Sequence, residues 1–139
     1  MLAVAEVAGI GPVAEALLLK VDGAIALANP AFPANRRTVY LGNLFVGDVP
    51  LAESPMKDHP LTPMRDSNLV RVLQRQAKLP VGLVPYAAVD QGPAEIECAF
   101  DAAAAAGKRF VVVDAILDRH LVDIGKAAAA HKLITGGSG

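Results

Sequence analysis

The sequence predicts an α/β protein: a partial doubly wound, mostly parallel sheet with helices on both faces, plus a β-hairpin near residues 38–53. Three observations lead there. Short apolar runs at 24–28 (AIALA), 81–89 (VGLVPYAAV) and 110–115 (FVVVDA) have the length and near-unbroken hydrophobicity of strands buried on both faces. From residue 67 onward such runs alternate with helical stretches, the pattern of parallel strands joined by right-handed crossovers. The chain is 53% hydrophobic but only 4% aromatic and lacks Trp, so Ala and Val carry the apolar content, as in α/β domains whose Ala-rich helices cover a buried sheet.

In chain order, residues 1–10 are apolar but aperiodic. Pro12 near a helix start, followed by Val13, Ala16, Leu17 and Leu18, predicts a short helix ending near Asp22-Gly23. The strand at 24–28 then feeds NPAFPANRRTVYLGNLFVGDVPLAES (29–54), the least generic stretch of the chain. Pro30 and Pro33 fix φ and push Asn29 and Phe32 toward extended geometry, which reads as a rigid loop before a hairpin whose two-residue connection is Gly47-Asp48. Residues 55–66 are a proline-punctuated loop carrying Asp58, His59, Thr62 and Arg65. Asp66 or Ser67 is placed to cap the next helix, whose Leu69, Val72 and Leu73 form one apolar stripe ended by Pro80. After the strand at 81–89, a turn at Asp90-Gln91-Gly92 leads to a helix from Pro93 to Ala106, with Gly107 just past its end. FVVVDA is the clearest buried strand; a helix over 117–131 and a strand beginning at 133–137 complete the chain.

With 139 residues there is room for one domain with a sizeable core. The formal net charge is −1, without basic runs or aromatic–basic interleaving, which argues against nucleic acid. The single Cys98 fits a reducing compartment, and on an Ala-rich helix it reads as a small core residue rather than a nucleophile. The N-terminus lacks a positive start, Glu6 interrupts its apolar stretch, and no apolar run approaches 18 residues, so a cytoplasmic protein without membrane contact is expected.

Ligands of open α/β sheets bind outside the carboxyl ends of the strands. That edge here holds Asn29 and its loop, Asp90, Asp114 and the closing Thr135-Gly136-Gly137-Ser138-Gly139. Asp114 could accept from a ligand hydroxyl or pair with an Arg; equally it could cap the following helix or sit in solvent. Gly136, Gly137 and Ser138 form a short glycine-rich loop able to offer backbone N–H groups to an anion. In the opening stretch Asn35, Arg36, Arg37 and Thr38 sit where an anion could be met, and the Arg fork suits carboxylate or phosphate; the Arg pair could equally be a solvated loop. There is no GxxxxGK[ST], no GxGxxG, no GxSxG and no metal-ligand spacing: His120 and His131 share a helix but lie too far apart for an i, i+4 pair.

PAFPANRRTVYLGNLFVGDVPLAES, MKDHPLTPMRDSNLVRVLQ, VGLVPYAAVDQG and the closing ITGGSG, in uninterrupted order from about Gly9 to Gly139, resemble the four-carbon acid sugar kinases, and within them the 3-oxo-tetronate kinase branch. The resemblance implies a two-domain enzyme. Its N-terminal α/β domain binds a sugar acid, its C-terminal domain binds ATP, and with Mg²⁺ the γ-phosphoryl passes to the C4 hydroxyl of 3-oxo-tetronate to give the 4-phosphate. On this basis residues 1–139 are expected to be one incomplete N-terminal domain: the Asp-rich opening and the Ser/Thr-rich segment before Gly9 are not matched, and the ATP domain does not follow. The chain alone is then expected to bind neither ATP nor Mg²⁺ and to lack kinase activity; the alternative is a stand-alone organic-acid-binding module. By position, the resemblance makes Asn35, Arg37 and Thr38 one wall of a substrate site, Asp58, Thr62 and Pro63 a second, and pairs Arg37 with the substrate carboxylate. It also marks a departure. The family pattern FPxxGRT has glycine where this chain has Arg36, and if that position takes φ > 0, Arg36 costs about 1 kcal/mol. Loss of covering strands would leave a sheet edge open to self-association.

Overall fold

The computed structural model describes residues 25–54, 66–131 and 134–137. The expected helix at 11–22, the 55–65 loop with Asp58, His59 and Thr62, and Ser138 lie outside these residues. In chain order the elements are β1 (Ala26–Asn29), β2 (Arg37–Tyr40), β3 (Asn43–Val46), β4 (Val49–Pro50), α1 (Leu69–Gln76), β5 (Val81–Val84), α2 (Tyr86–Val89), α3 (Pro93–Ala105), β6 (Phe110–Val113), α4 (Asp118–His131) and β7 (Ile134–Gly137). Two sheets result. β1, β5, β6 and β7 form a parallel sheet in the spatial order β5-β6-β1-β7, and β2-β3-β4 form an antiparallel meander.

The parallel sheet follows from its apolar runs. All four residues of β6 are buried, because β6 has a strand on each side and helices over its faces. The order of strands fixes the handedness of the rest. From β1 the chain moves past β6 to β5, then returns through β6 and crosses β1 to reach β7. Right-handed crossovers in opposite directions put α1 on one face and α3 with α4, which pack together, on the other. The core joins both sheets: Val39, Leu44 and Leu51 of the meander segment belong to the same cluster as Leu69, Leu73, Ile96, Phe100 and Phe110.

The helix ends have local causes. Asn68, rather than Asp66 or Ser67, caps α1 by accepting from Arg71 N at 3.0 Å, while Asp66 receives Asn68 N and pairs with Arg71 and Arg75. α3 starts on Pro93 and ends in a Schellman arrangement: Lys108 N donates to Ala103 O, Gly107 N to Ala104 O, and Gly107 has φ +82°. On α3 the inward stripe is Ile96 and Phe100; Cys98 falls between them on the outward side and is exposed, contrary to the expected core position.

Two further expectations are corrected. The run 81–89 is not one strand: β5 stops at Val84, and Pro85 precedes the short helix α2. The hairpin does turn at Gly47-Asp48, but a second turn at Leu41-Gly42 divides TVYLGNLFV, so the unit is a three-stranded meander.

The entry to the meander is tight. Phe32 and Arg37 exchange backbone hydrogen bonds of 2.9 and 3.1 Å around the 3₁₀ turn Pro33–Asn35. Arg36 closes that turn with φ 60° and ψ 27°, so the strained position anticipated for it is realised. A left-handed non-glycine residue costs about 1–2 kcal/mol, offset in part by the chain entropy a glycine would add. Arg36→Gly is therefore expected to raise the unfolding free energy by about 0.5–1 kcal/mol in urea denaturation; a lower stability would show that the Arg36 guanidinium, which lies over Gly47, contributes more than the strain costs.

Candidate functional site

The strand order reverses direction between β6 and β1, so a crevice is expected outside the carboxyl ends of these two neighbours. Asn29 ends β1 and Asp114 follows β6. Asn29 is buried and ties the two strands together: its Nδ2 donates to Val113 O at 3.0 Å and its Oδ1 accepts from Ala31 N at 2.9 Å, which turns the chain out of the sheet. Gly136 and Gly137 end β7 on the far side of β1, paired with Ala28 and Asn29.

Asp114 is wholly buried. Its Oδ2 accepts from Leu41 N and Tyr86 N, both at 2.7 Å, and its Oδ1 accepts from Gly42 N at 2.9 Å. The carboxylate thus holds the β2–β3 turn and the first residue of α2, neither capping the helix that follows it nor meeting solvent. Burial pushes the Asp114 carboxyl above its ordinary value, and the three N–H bonds pull against that shift. One residue on, Ala115 and Val39 exchange hydrogen bonds of 3.0 and 2.8 Å. The end of β6 is therefore the joint between the two sheets.

The meander brings only part of the expected binding stretch to this joint. Asn35 and Arg36 are exposed on the 3₁₀ turn, while Arg37 and Thr38 are half-buried in β2 rather than on a loop. Strand alternation sends their side chains to opposite faces. Arg37 shares the face of Val39, Leu44 and Val46, which packs on the core; Thr38 shares that of Tyr40 and Phe45. Among the described residues Arg37 carries an unusual feature: its Nη1 is buried and has no hydrogen-bond partner. A buried guanidinium N–H without an acceptor is costly, and a carboxylate or phosphate oxygen would satisfy it.

Asp90 lies beyond α2, not at a strand end. It pairs with Arg119 and with the buried His120, whose Nε2 is 3.0 Å from Asp90 Oδ1. His120 Nδ1 accepts from Ile116 N and Leu117 N at 3.1 Å each, so the ring proton sits on Nε2 and points at Asp90. Both ring nitrogens are thus engaged, Nδ1 with the turn before α4 and Nε2 with Asp90. An edge-on series of rings, Tyr40 to Tyr86 at 5.8 Å and Tyr86 to His120 at 5.6 Å, connects this pair with the meander. Asp90 and His120 lie 30 residues apart, and no local pattern marks them as partners. The described residues contain no group of three or more His, Cys, Asp or Glu side chains that could hold a metal ion. No described helix is long and apolar enough to cross a membrane.

Residues 8–139 match the sugar-binding N-terminal domain family. The chain belongs to this family. Among its relatives, the 3-oxo-tetronate kinase of Burkholderia multivorans is 52% identical over 134 residues and that of Cupriavidus necator 51% over 134, each covering 96% of this chain and 31% of the relative. The chain thus spans about a third of the length of the curated relatives it matches. A Haemophilus influenzae DUF1537 structure superposes with a TM-score of 0.87 at 46% identity, covering 93% of this chain and 31% of that one. A Bordetella bronchiseptica DUF1537 domain, solved with bound citrate as a domain-swapped dimer, gives a TM-score of 0.67 at 30% identity, covering 84% of this chain and 27% of that one. The family membership and the mixed α/β fold agree with the sequence resemblance.

The Asp90 pair sets a pH dependence. The hydrogen bond with His120, with Arg119 adding to it, holds the Asp90 carboxyl below its ordinary value of 3.8. A depressed folded-state value contributes stability above the unfolded value and loses it as the pH falls through the folded one. Asp90→Asn is expected to lower stability at neutral pH and to flatten the acid limb below about pH 3.8. Urea denaturation across this range checks it: parallel curves for the two proteins would show that the pair contributes nothing.

Proposed function

We propose that this chain is the sugar-acid-holding part of a 3-oxo-tetronate kinase, with Arg37 as the group that binds the substrate carboxylate. The observation that carries the reading is the buried Arg37 Nη1 without an acceptor, in a strand joined directly to the carboxyl edge of the parallel sheet. A planar guanidinium on a hydrogen-bonded strand presents its fork with little entropic cost, and a carboxylate matches it. The citrate on the Bordetella relative supports an organic acid as the ligand class, and the names of the curated relatives support 3-oxo-tetronate within it. Asn35, Asp58 and Thr62 are further proposed contacts, with the backbone N–H groups of Gly136, Gly137 and Ser138; the Thr38 side chain, on the opposite face of β2 from Arg37, takes no direct part in that carboxylate contact.

In the whole protein the reaction moves the γ-phosphoryl of ATP to the C4 oxygen of the sugar acid, the hydroxyl losing its proton and ADP leaving. This chain's residues hold and orient the acid; nucleotide and Mg²⁺ chemistry is supplied by other parts of the longer protein. The 139 residues alone are proposed to bind the acid without turning it over.

Calorimetric titration of the chain with four-carbon sugar acids tests the site. Millimolar or tighter binding is expected, with Arg37→Ala weakening it by about 2 kcal/mol or more. Equal heats for the two proteins, or none from any four-carbon acid, would overturn the assignment. Self-association is a second expected outcome. Among the described residues β5 and β7 flank the sheet, and an edge strand offers unpaired N–H and C=O groups. Light scattering is expected to give a mass above the 14.4 kDa of one chain, and a monodisperse monomer at high concentration would overturn this.

A further inference from the structure

The β2–β3 turn has a sequence that does not suit it. A two-residue hairpin connection with φ > 0 at both central positions is the type I′ pattern, which Asn-Gly or Asp-Gly adopts readily. Here the two residues are Leu41 and Gly42, with φ 50° and 79°. Gly42 accepts its conformation freely. Leu41 does not, and its side chain is half exposed at the tip, so no burial of that side chain holds it there. The holding force comes from elsewhere in the chain. The N–H groups of both turn residues converge on the two oxygens of one buried carboxylate, Asp114, whose Oδ2 also takes Tyr86 N.

We infer that Asp114 is a positioning residue for the binding site: its carboxylate imposes the strained Leu41-Gly42 turn and thereby fixes the register of β2, the strand that carries Arg37. The register follows directly. Tyr40 pairs with Asn43 around the turn, and each pair back along the ladder, Val39 with Leu44, Thr38 with Phe45 and Arg37 with Val46, depends on that closure. A slip of one residue would move Arg37 from the core face to the other face. The inference rests on the reading of Arg37 as the acid-binding group only for its consequence on affinity; its structural half stands apart from that reading. Asp114 is wholly buried and both its oxygens already take N–H donors, so its effect on binding passes through the turn.

Asp114→Asn is the sharp variant. An amide can place its oxygen either toward Gly42 N or toward the Leu41 N and Tyr86 N pair, and its NH₂ then faces an N–H donor at the other position. Amide exchange by NMR on the chain, with calorimetric titration of erythronate, reads both halves. Asp114→Asn is expected to speed exchange at Leu41 and Gly42 at least tenfold and to weaken erythronate binding by about tenfold. Adding Leu41→Gly, which removes the left-handed penalty, is expected to restore most of the binding while the thermal midpoint stays low, because the amide at position 114 still leaves a backbone donor unsatisfied. Restoration of affinity without restoration of stability is a result that a merely structural role would not produce. Unchanged exchange at Leu41 and Gly42 in Asp114→Asn overturns the inference, as does a double variant whose affinity simply follows its stability. If the unaltered chain binds no erythronate while exchange still responds as stated, the acid-binding reading fails and the clamp stands. Should Asp114→Asn not fold, exchange in the unaltered chain decides: the amides of Leu41, Gly42 and Tyr86 are expected to open together as one group, and independent opening overturns the clamp.

Discussion

A carboxylate taken out of water must be compensated, and Asp114 is compensated by backbone alone. Three N–H groups from two distant segments point at its two oxygens, and the residue beside it exchanges two further hydrogen bonds with Val39. Desolvation still dominates the balance and pushes the Asp114 carboxyl upward, so the group is held at a cost. What the cost secures is connection. The parallel sheet and the meander are formed from separate strands and share no continuous ladder. They meet through the end of β6, where Val39 bridges to Ala115, and through the common apolar cluster. Apolar packing fixes how close the two sheets lie but not their register, whereas directional hydrogen bonds to one fixed carboxylate do.

How much of this could be read from the chain depends on whether the cause was local. The strands at 26–29 and 110–113, the helix over 93–105 with Gly107 behind it, and the Gly47-Asp48 turn are all written in contiguous residues: apolar runs, a Pro at a helix start, a glycine past its end. The errors fall where a distant group decides. Leu41 gives no turn signal, since its conformation is imposed from Asp114, 73 residues away. The run 81–89 looks like one strand because Tyr86-Ala87-Ala88-Val89 is apolar; Pro85, and the capture of Tyr86 N by the same carboxylate, turn it into helix. Cys98 departs from expectation for a different reason. An Ala-rich helix has little contrast between its faces, so its inward stripe is marked only by Ile96 and Phe100.

The candidate site was legible in composition but not in direction. Arg37 and Thr38 are neighbours in sequence and read as one loop wall; in β2 they face apart, and only Arg37 turns toward the core. The topology then supplies the missing location. Asn29 and Asp114 close the carboxyl ends of β1 and β6, and the chain leaving β1 builds the meander there, tied to β6 through Val39 and Ala115. Asn29 and Asp114 both have their polar atoms engaged with backbone. The strand ends are therefore already satisfied, and among the described residues the buried side-chain atom still lacking a partner is Arg37 Nη1 on the strand beside them. In the proposed site two tasks are then separated: the polar residues that end the strands hold the frame, and Arg37 on β2 is left to meet the acid.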